Sequence, residues 1–340
     1  MAILKTRNIK KVYKLLWALI LFTAFKINAQ TDHLLLNRPI EDGNPTKVNV
    51  SFYVIDITEI DNKNQSFTID VVVRLRWKDS RLSDVTMPLP INSIWQPNVQ
   101  IYNLRDADKL LPDIATVLDD GTVQYIQRYY ATLSSPLNFR DFPFDVQTLP
   151  ITLLSFGYTP NEVELVFENG GSEKNYSISD WKVQPVGATS SAYKADLFDD
   201  SSEQITRPRM DYELKASRYI QFYWWKVLAP LMVILFLSWA VFWIDPSQVG
   251  AQIGVSGTSI LTLIAFLYKL DNVLPPVSYL THMDHFIFTA LLLVFLAYIE
   301  AIVSITYAHK NKKEIALKLD YSFRIAYPVI FLFVIYFFWF

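Results

Sequence analysis

The sequence predicts two unlike halves, an all-β sandwich followed by an all-α bundle of four membrane-spanning helices. Three observations lead there. Before residue 217, short runs alternate apolar with polar residues, the period of half-buried strands, and turn formers such as Asp119-Asp120-Gly121 separate them. After Arg218, four long apolar runs follow one another, each able to cross a ~30 Å hydrocarbon core as a helix. Of the 340 residues, 51% are hydrophobic and only 19% charged, against roughly 25% charged in soluble domains.

Composition also excludes classes of function. A net charge of −2 offers no basic footprint for nucleic acid. Without cysteine there is no disulfide, thiolate metal site or cysteine nucleophile. The sequence has no HExxH, no glycine-rich phosphate loop and no G-x-S-x-G, so neither an enzyme nor a bound cofactor is expected. The one cluster with metal-like content, His282-Met283-Asp284-His285, has no further pair of ligands near it in sequence, and no metal site is expected. Asp284 reads better as a negative charge at a helix N-terminus.

The elements follow in order. Residues 1–29 read as a signal peptide: Lys5, Arg7, Lys10, Lys11 and Lys14 are basic, 15–25 is apolar, and Ala29 is a small residue at the cleavage position. The apolar stretch falls short of the ~20 residues a span needs. The mature chain then begins at Gln30, with an extracellular domain over 30–217 and a transmembrane domain over 218–340. Strands are expected at 48–57, 67–77, 122–133, 146–153, 163–167 and 210–216, in an antiparallel sandwich. Spans are expected at 220–244, 251–270, 286–308 and 321–340. With the sandwich outside a plasma (inner) membrane, Lys310, Lys312, Lys313 and Lys318 fall inside, as the positive-inside rule requires, and the C-terminus returns outside.

The second span is unusual. Gln252, Gly254, Ser256, Gly257, Thr258, Ser259 and Thr262 have no reason to face lipid. Helical spacing places Gly250, Gly254, Thr258, Leu261, Ala265, Tyr268 and Asn272 on one face. That face suits a water-filled path, with Leu261 as a hydrophobic constriction that gates by dewetting; close helix packing through small residues is the competing explanation. One such helix cannot enclose a pore, so a pore requires a cyclic homo-oligomer. Glu300, within the third span, is an intramembrane acid, a kind of residue that is usually functional or paired, and its place is between helices.

The motifs carry a family resemblance. Residues 135–149, SPLNFRDFPFDVQTL, look like the signature loop of the pentameric ligand-gated ion channels (the Cys-loop receptor superfamily), with Ser135 and Leu149 where the loop cysteines stand. Residues 94–108 resemble the family's WxPD segment, with Asn98 in place of Asp, and 67–82 look like the matching strand of GABA-A receptor subunits. Arg218 sits where the family keeps an arginine before the first span, and Phe242-Trp243-Ile244 and Leu274-Pro275 bracket the second. The missing cysteines and the short inner loop are similar to prokaryotic members.

The resemblance implies an immunoglobulin-like sandwich of about ten strands, a homopentamer in the lipid bilayer, permeant ions, and a small-molecule or proton agonist held between neighbouring extracellular domains. It implies ligand contacts from Tyr102 and Phe156 on one subunit, and from Arg74 with Tyr125 or Tyr129 on the next. Arg74 suits a ligand carboxylate, because a guanidinium donates two parallel hydrogen bonds. Tyr193 and Phe198 are the aromatic candidates of the capping hairpin. For each aromatic, plain packing is the alternative; for Arg74, a surface ion pair. Coupling to the membrane falls to Phe142, Pro143, Phe144 and Asp145, to Arg218, to Glu59 and Asp61 of the first hairpin, and to Pro275. The inner end of the second span, Gln248 to Gln252, has no acid, which points to anions or little discrimination. A non-conducting oligomeric receptor that binds through the sandwich is the rival function.

Overall fold

The computed structural model describes residues 35–40, 43–85, 87–195, 205–270 and 277–339. The expected signal peptide, and Phe198, Asn272 and Pro275 among the candidate residues, lie outside the described residues.

Among the described residues the first half forms strands β1 (Thr46–Asp61), β2 (Ser66–Lys78), β3 (Leu89–Pro90), β4 (Val99–Ile101), β5 (Leu104–Lys109), β6 (Ile114–Val117), β7 (Thr122–Ser134), β8 (Val146–Ser155), β9 (Val163–Ser172), β10 (Trp181–Ala195) and β11 (Ile205–Arg218). One sheet runs β3-β6-β7-β2-β1-β9, with β5 also on β7; the other runs β10-β11-β8-β4. The alternation read from the sequence is the burial pattern itself: Val48, Val50, Phe52 and Val54 of β1 all point into the core. There the sheets meet through aromatic rings. Phe52 of β1 stacks on Tyr212 of β11 with centroids 4.5 Å apart, and Trp77 meets Trp95 edge-on at 5.9 Å.

Two features depart from expectation. The sandwich is not wholly antiparallel, because β1 pairs with β9 in parallel. β10 is a long strand in a stretch without clean alternation. Pro185 and Gly187 flank a bulge there, and the strand tolerates both because it lies at a sheet edge.

The parallel β1–β9 pairing brings backbone close to the core aromatics. A Cβ on Gly170 would stand 2.7 Å from the Tyr212 ring, which is itself stacked on Phe52 and cannot retreat. Overpacking of this kind costs roughly 1–3 kcal/mol. Gly170→Ala is therefore expected to lower the thermal midpoint of the purified protein by several degrees; an unchanged midpoint would show that the ring can move.

The second half is helical: α1 (Gln221–Trp243), α2 (Val249–Leu270), α3 (His282–His309) and α4 (Lys313–Trp339). Among the described residues, α1, α2 and α3 are long and apolar enough to cross a membrane. A π turn at Trp224–Leu228 leads α1 into Pro230, whose missing N–H interrupts the regular ladder. Asp284 closes a capping box with Thr281 at the start of α3, the helix-terminus role expected of it. α2 packs on α1 and α3, while α4 packs on α3 and on the inner end of α1. The α4–α1 contact is specific: Arg324 Nε donates to the Phe242 carbonyl at 2.9 Å, and Trp239 Nε1 donates to the Arg324 carbonyl at 3.0 Å.

Candidate ligand, coupling and ion-pathway sites

The four-stranded sheet carries an aromatic and charged cluster at its outward side. Tyr102, just past β4, shares a hydrogen bond with the Tyr193 hydroxyl at 2.9 Å, and the rings lie 5.2 Å apart. The Arg209 guanidinium lies over the Tyr193 ring at 5.7 Å. Asp211 grips it from below through two hydrogen bonds of 2.7 and 2.8 Å and accepts another from Thr152. Sequence reading missed Arg209. The β10–β11 register, which the sequence does not disclose, brings Arg207 opposite Tyr193 and Arg209 one step along the same face. Phe156, one residue past β8, is exposed. Its N–H donates to the carbonyl of Asn98, which sits at φ 53°, a left-handed conformation that asparagine tolerates well.

Arg74 lies on the outward face of β2, on the other sheet. It borders an open cavity of about 340 Å³ with Ser51, Tyr53, Val72, Ile126 and Gly170. Its guanidinium donates to Ser51 at 3.0 Å and to Glu168 at 3.1 Å, and Arg76 holds the other Glu168 oxygen at 2.8 Å. Burial pushes the Glu168 carboxyl up, but the Ser51 hydroxyl and the two guanidiniums outweigh it and hold the group below its usual range. Two guanidiniums share the Glu168 carboxylate, and a second carboxylate, Glu173, accepts from the Tyr53 hydroxyl at 2.7 Å beside the same cavity.

Tyr125 and Tyr129 do not join Arg74. In the β2–β7 register they stand opposite Leu75 and Val71, whereas Arg74 stands opposite Ile126. Successive residues of a strand point to opposite faces, so both tyrosines turn toward the core. They border a small internal cavity with Val73, Leu75 and Gln127. Burial, with a hydrogen bond to Asp113, pushes Tyr125 up to about 12, and burial does the same to Tyr129. Ile126 is the β7 residue that shares the Arg74 cavity.

At the base of the sandwich Arg218 is the hub. Its Nε donates to Asp145 at 2.8 Å, and both side chains are 1% exposed. One terminal nitrogen reaches Tyr223 of α1 at 3.1 Å and the other reaches Asn62 at 2.9 Å. The guanidinium carbon lies 3.9 Å from the Trp181 ring centroid and 5.0 Å from that of Phe142. The first hairpin therefore reaches the ion pair through Asn62, and Glu59 and Asp61 are not its partners. Asp61 instead accepts from the backbone of Lys63 and Asn64 and orders the turn that presents Asn62, while Glu59 is exposed.

The signature loop touches the membrane half directly. Phe142, fully buried, precedes a cis bond to Pro143. The Arg140 and Phe142 carbonyls accept from the first N–H groups of α3 at 3.0 and 3.2 Å, and the Tyr279 hydroxyl accepts from the Phe139 N–H at 2.9 Å. Phe144 is exposed at the loop tip. Where the family's cysteines would close the loop, buried Ser135 donates to the Thr148 carbonyl at 3.1 Å, and Gln147 ties the loop to Asn138.

On α2, Gly250, Gly254, Thr258, Leu261, Ala265 and Tyr268 are all exposed in the single chain, with Leu261 70% and Tyr268 83% accessible. Gln252, Ser256 and Ser259 turn the other way and are buried in the bundle. Gln252 donates to the Ile244 carbonyl, and the serines bond back to their own helix. The polar residues thus divide between an open stripe and a packing face. At the inner end Asp245 pairs with Lys313 at 2.8 Å, a hydrogen bond that holds its carboxyl down to about 2.

A β-sandwich joined through a buried ion pair to a bundle whose second helix exposes a stripe of small, hydroxyl and apolar side chains defines a receptor-type membrane channel subunit. Comparison with known proteins agrees. Residues 28–220 match the family described as neurotransmitter-gated ion-channel ligand binding domain, and residues 227–324 match the neurotransmitter-gated ion-channel transmembrane region. The chain belongs to the neurotransmitter-gated ion channels. It is 31% identical over 310 residues to a proton-gated ion channel of Gloeobacter violaceus, an alignment covering 86% of this chain and 82% of that one. It is 28% identical to the gamma-aminobutyric acid receptor subunit rho-2 of Bos taurus and 27% identical to that of Homo sapiens. Those alignments cover 83% and 84% of this chain but only 63% and 64% of the receptor subunits.

Proposed function

We propose that the chain assembles as a homopentamer in which a small-molecule or proton agonist, bound between neighbouring extracellular domains, opens an ion pathway lined by α2. The observation that carries this reading is the exposed stripe Gly250, Gly254, Thr258, Leu261, Ala265 and Tyr268. A helix that only anchored the protein would have no use for it. On one subunit the Tyr102–Tyr193–Arg209 cluster supplies aromatic faces for a cation and a charged rim. On the next, Arg74 supplies a guanidinium at the wall of an open cavity.

An agonist with both an amine and a carboxylate fits this pairing. Arg74→Ala is then expected to move the concentration dependence of such an agonist at least tenfold to higher concentration, the equivalent of about 1.4 kcal/mol. An unchanged curve would remove the carboxylate from the proposal. For selectivity, the exposed stripe carries no acid at its inner end, and Asp245 is neutralised by Lys313. This favours anions or weak discrimination over cation selectivity. The test is voltage clamp of cells expressing the chain, with pH steps and a panel of amines and amino acids under a chloride gradient. An evoked current establishes the channel, and its reversal potential assigns the ion. Silence with the protein at the surface favours the rival reading, a non-conducting oligomeric receptor.

A further inference from the structure

Two carboxyl side chains lie buried against each other between α3 and α4. Glu300 is 3% exposed and Asp320 is 0% exposed. They stand on facing turns of the two helices, which pack together here. Ser304, one turn along α3 from Glu300, donates to Asp320 Oδ1 at 2.8 Å. Both oxygens of Glu300 and the Oδ2 of Asp320 have no partner.

No cation answers this pair among the described residues. On α4, Arg324 is turned away, donating to the Phe242 carbonyl and lying over the Trp243 ring, while Lys313 is paired with Asp245. Lys318 is exposed, and Tyr327 donates to the Leu235 carbonyl. On α3 itself the neighbouring ionisable groups are Tyr298 and Tyr307. α1 has no ionisable residue between Lys226 and Asp245, and α2 has none before Tyr268 and Lys269 at its far end. The small side chains of Ala297, Ala301 and Ala316 are buried nearby and offer no polar group.

Two ionised carboxylates are acceptors only and repel each other, most strongly where water is excluded. One proton turns the same approach into a hydrogen bond. It satisfies Asp320 Oδ2 and one Glu300 oxygen at a stroke, two of the three atoms left without partners. Asp320 Oδ1 already accepts from Ser304, whereas neither oxygen of Glu300 has a partner, so the proton is placed on Glu300.

We propose that Glu300 and Asp320 bind one exchangeable proton between α3 and α4, a proton site inside the membrane half and separate from the extracellular ligand surfaces, and that releasing it loosens α4 from α3. The site rests on the bundle lying in a bilayer and not on the identity of the agonist.

Infrared spectroscopy of the full-length protein in lipid tests it. At pH 7 the wild type is expected to show a carboxylic-acid C=O band that shifts in heavy water, and Glu300→Gln is expected to lose it. The Gln amide can donate to Asp320 in place of the acid, so assembly is expected to survive. If it does not, Asp320→Asn carries the test: the acid on Glu300 then loses its carboxylate acceptor, and the same band is expected to shift. No acid band in the wild type, or one that persists in Glu300→Gln or stands unmoved in Asp320→Asn, overturns the shared proton. Thermal midpoints test the consequence. The native pair holds a proton that the unfolded chain releases, so wild-type stability is expected to fall as pH rises from 7 to 9. Glu300→Gln is expected to lose that slope, and parallel slopes would overturn the link to α4 packing.

Discussion

Arg218→Ala is expected to abolish agonist-evoked current while leaving protein at the cell surface. Arg218 connects three segments at once: the signature loop through Asp145, the first hairpin through Asn62, and α1 through Tyr223. Removing it strands the Asp145 carboxylate, 1% exposed, with Gln147 as its remaining side-chain partner. Breaking a buried pair from one side costs on the order of 3–5 kcal/mol. It also removes the flat cation against which Trp181 and Phe142 rest. A movement of the sandwich could then no longer pass through this junction to α1.

Lysine separates coupling from bulk stability at this position. Arg218→Lys keeps the charge, but its ammonium cannot serve Asp145, Asn62 and Tyr223 with the planar fork that spans them. Its surface density is expected to approach the wild type while its current stays small. Both variants are to be scored as current divided by surface-labelled protein. Normal current per surface receptor in Arg218→Ala would refute the coupling role and leave the pair a static brace.

How far the sequence discloses this arrangement depends on the range over which each feature is specified. Alternation specifies burial residue by residue, so β1, β2, β7, β8, β9 and β11 fall where the apolar runs alternate. The stripe on α2 is equally local, because helical period alone decides which residues share a face. The Arg218–Asp145 pair reads out through the family motif on either side of it. What escapes is set by strand register and tertiary approach. The face of β7 that meets Arg74 depends on its pairing with β2, and a step of one residue exchanges Ile126 for the tyrosines. Asn62 replaces Glu59 and Asp61 because the turn geometry, which Asp61 itself stabilises, decides what the hairpin presents. Glu300 is conspicuous as an acid in an apolar run, but its partner lies on another helix, and Asp320 looks like a surface residue until α4 is laid against α3. β10 hides because an edge strand can keep Pro185 and Gly187 that a central strand would reject.

Leu261→Ser is expected to produce current without agonist. Leu261 stands in the middle of the exposed α2 stripe, with Thr258 and Ala265 one turn to either side. At 70% accessible in the single chain, it packs little against its own bundle, so the substitution removes no core contact. The helix itself loses only a few tenths of a kcal/mol in propensity. In a closed pentamer the same side chain would meet its counterparts across the axis and exclude water. If each copy gains about 1 kcal/mol from that contact, a modest fraction of the 1.5–3 kcal/mol of full leucine burial, a ring of copies biases closure by several kcal/mol. Serine removes that bias and hydrates the constriction. The closed-to-open ratio then moves by roughly a thousandfold, enough for a standing leak and for agonist responses at much lower concentration. The readout is holding current at fixed surface density, compared with Leu263→Ser, whose wild-type side chain is buried within the bundle. Leak from Leu261→Ser alone identifies the stripe as the ion pathway. Silence from both, with both at the surface, would turn the stripe into a packing face between subunits and favour the non-conducting receptor.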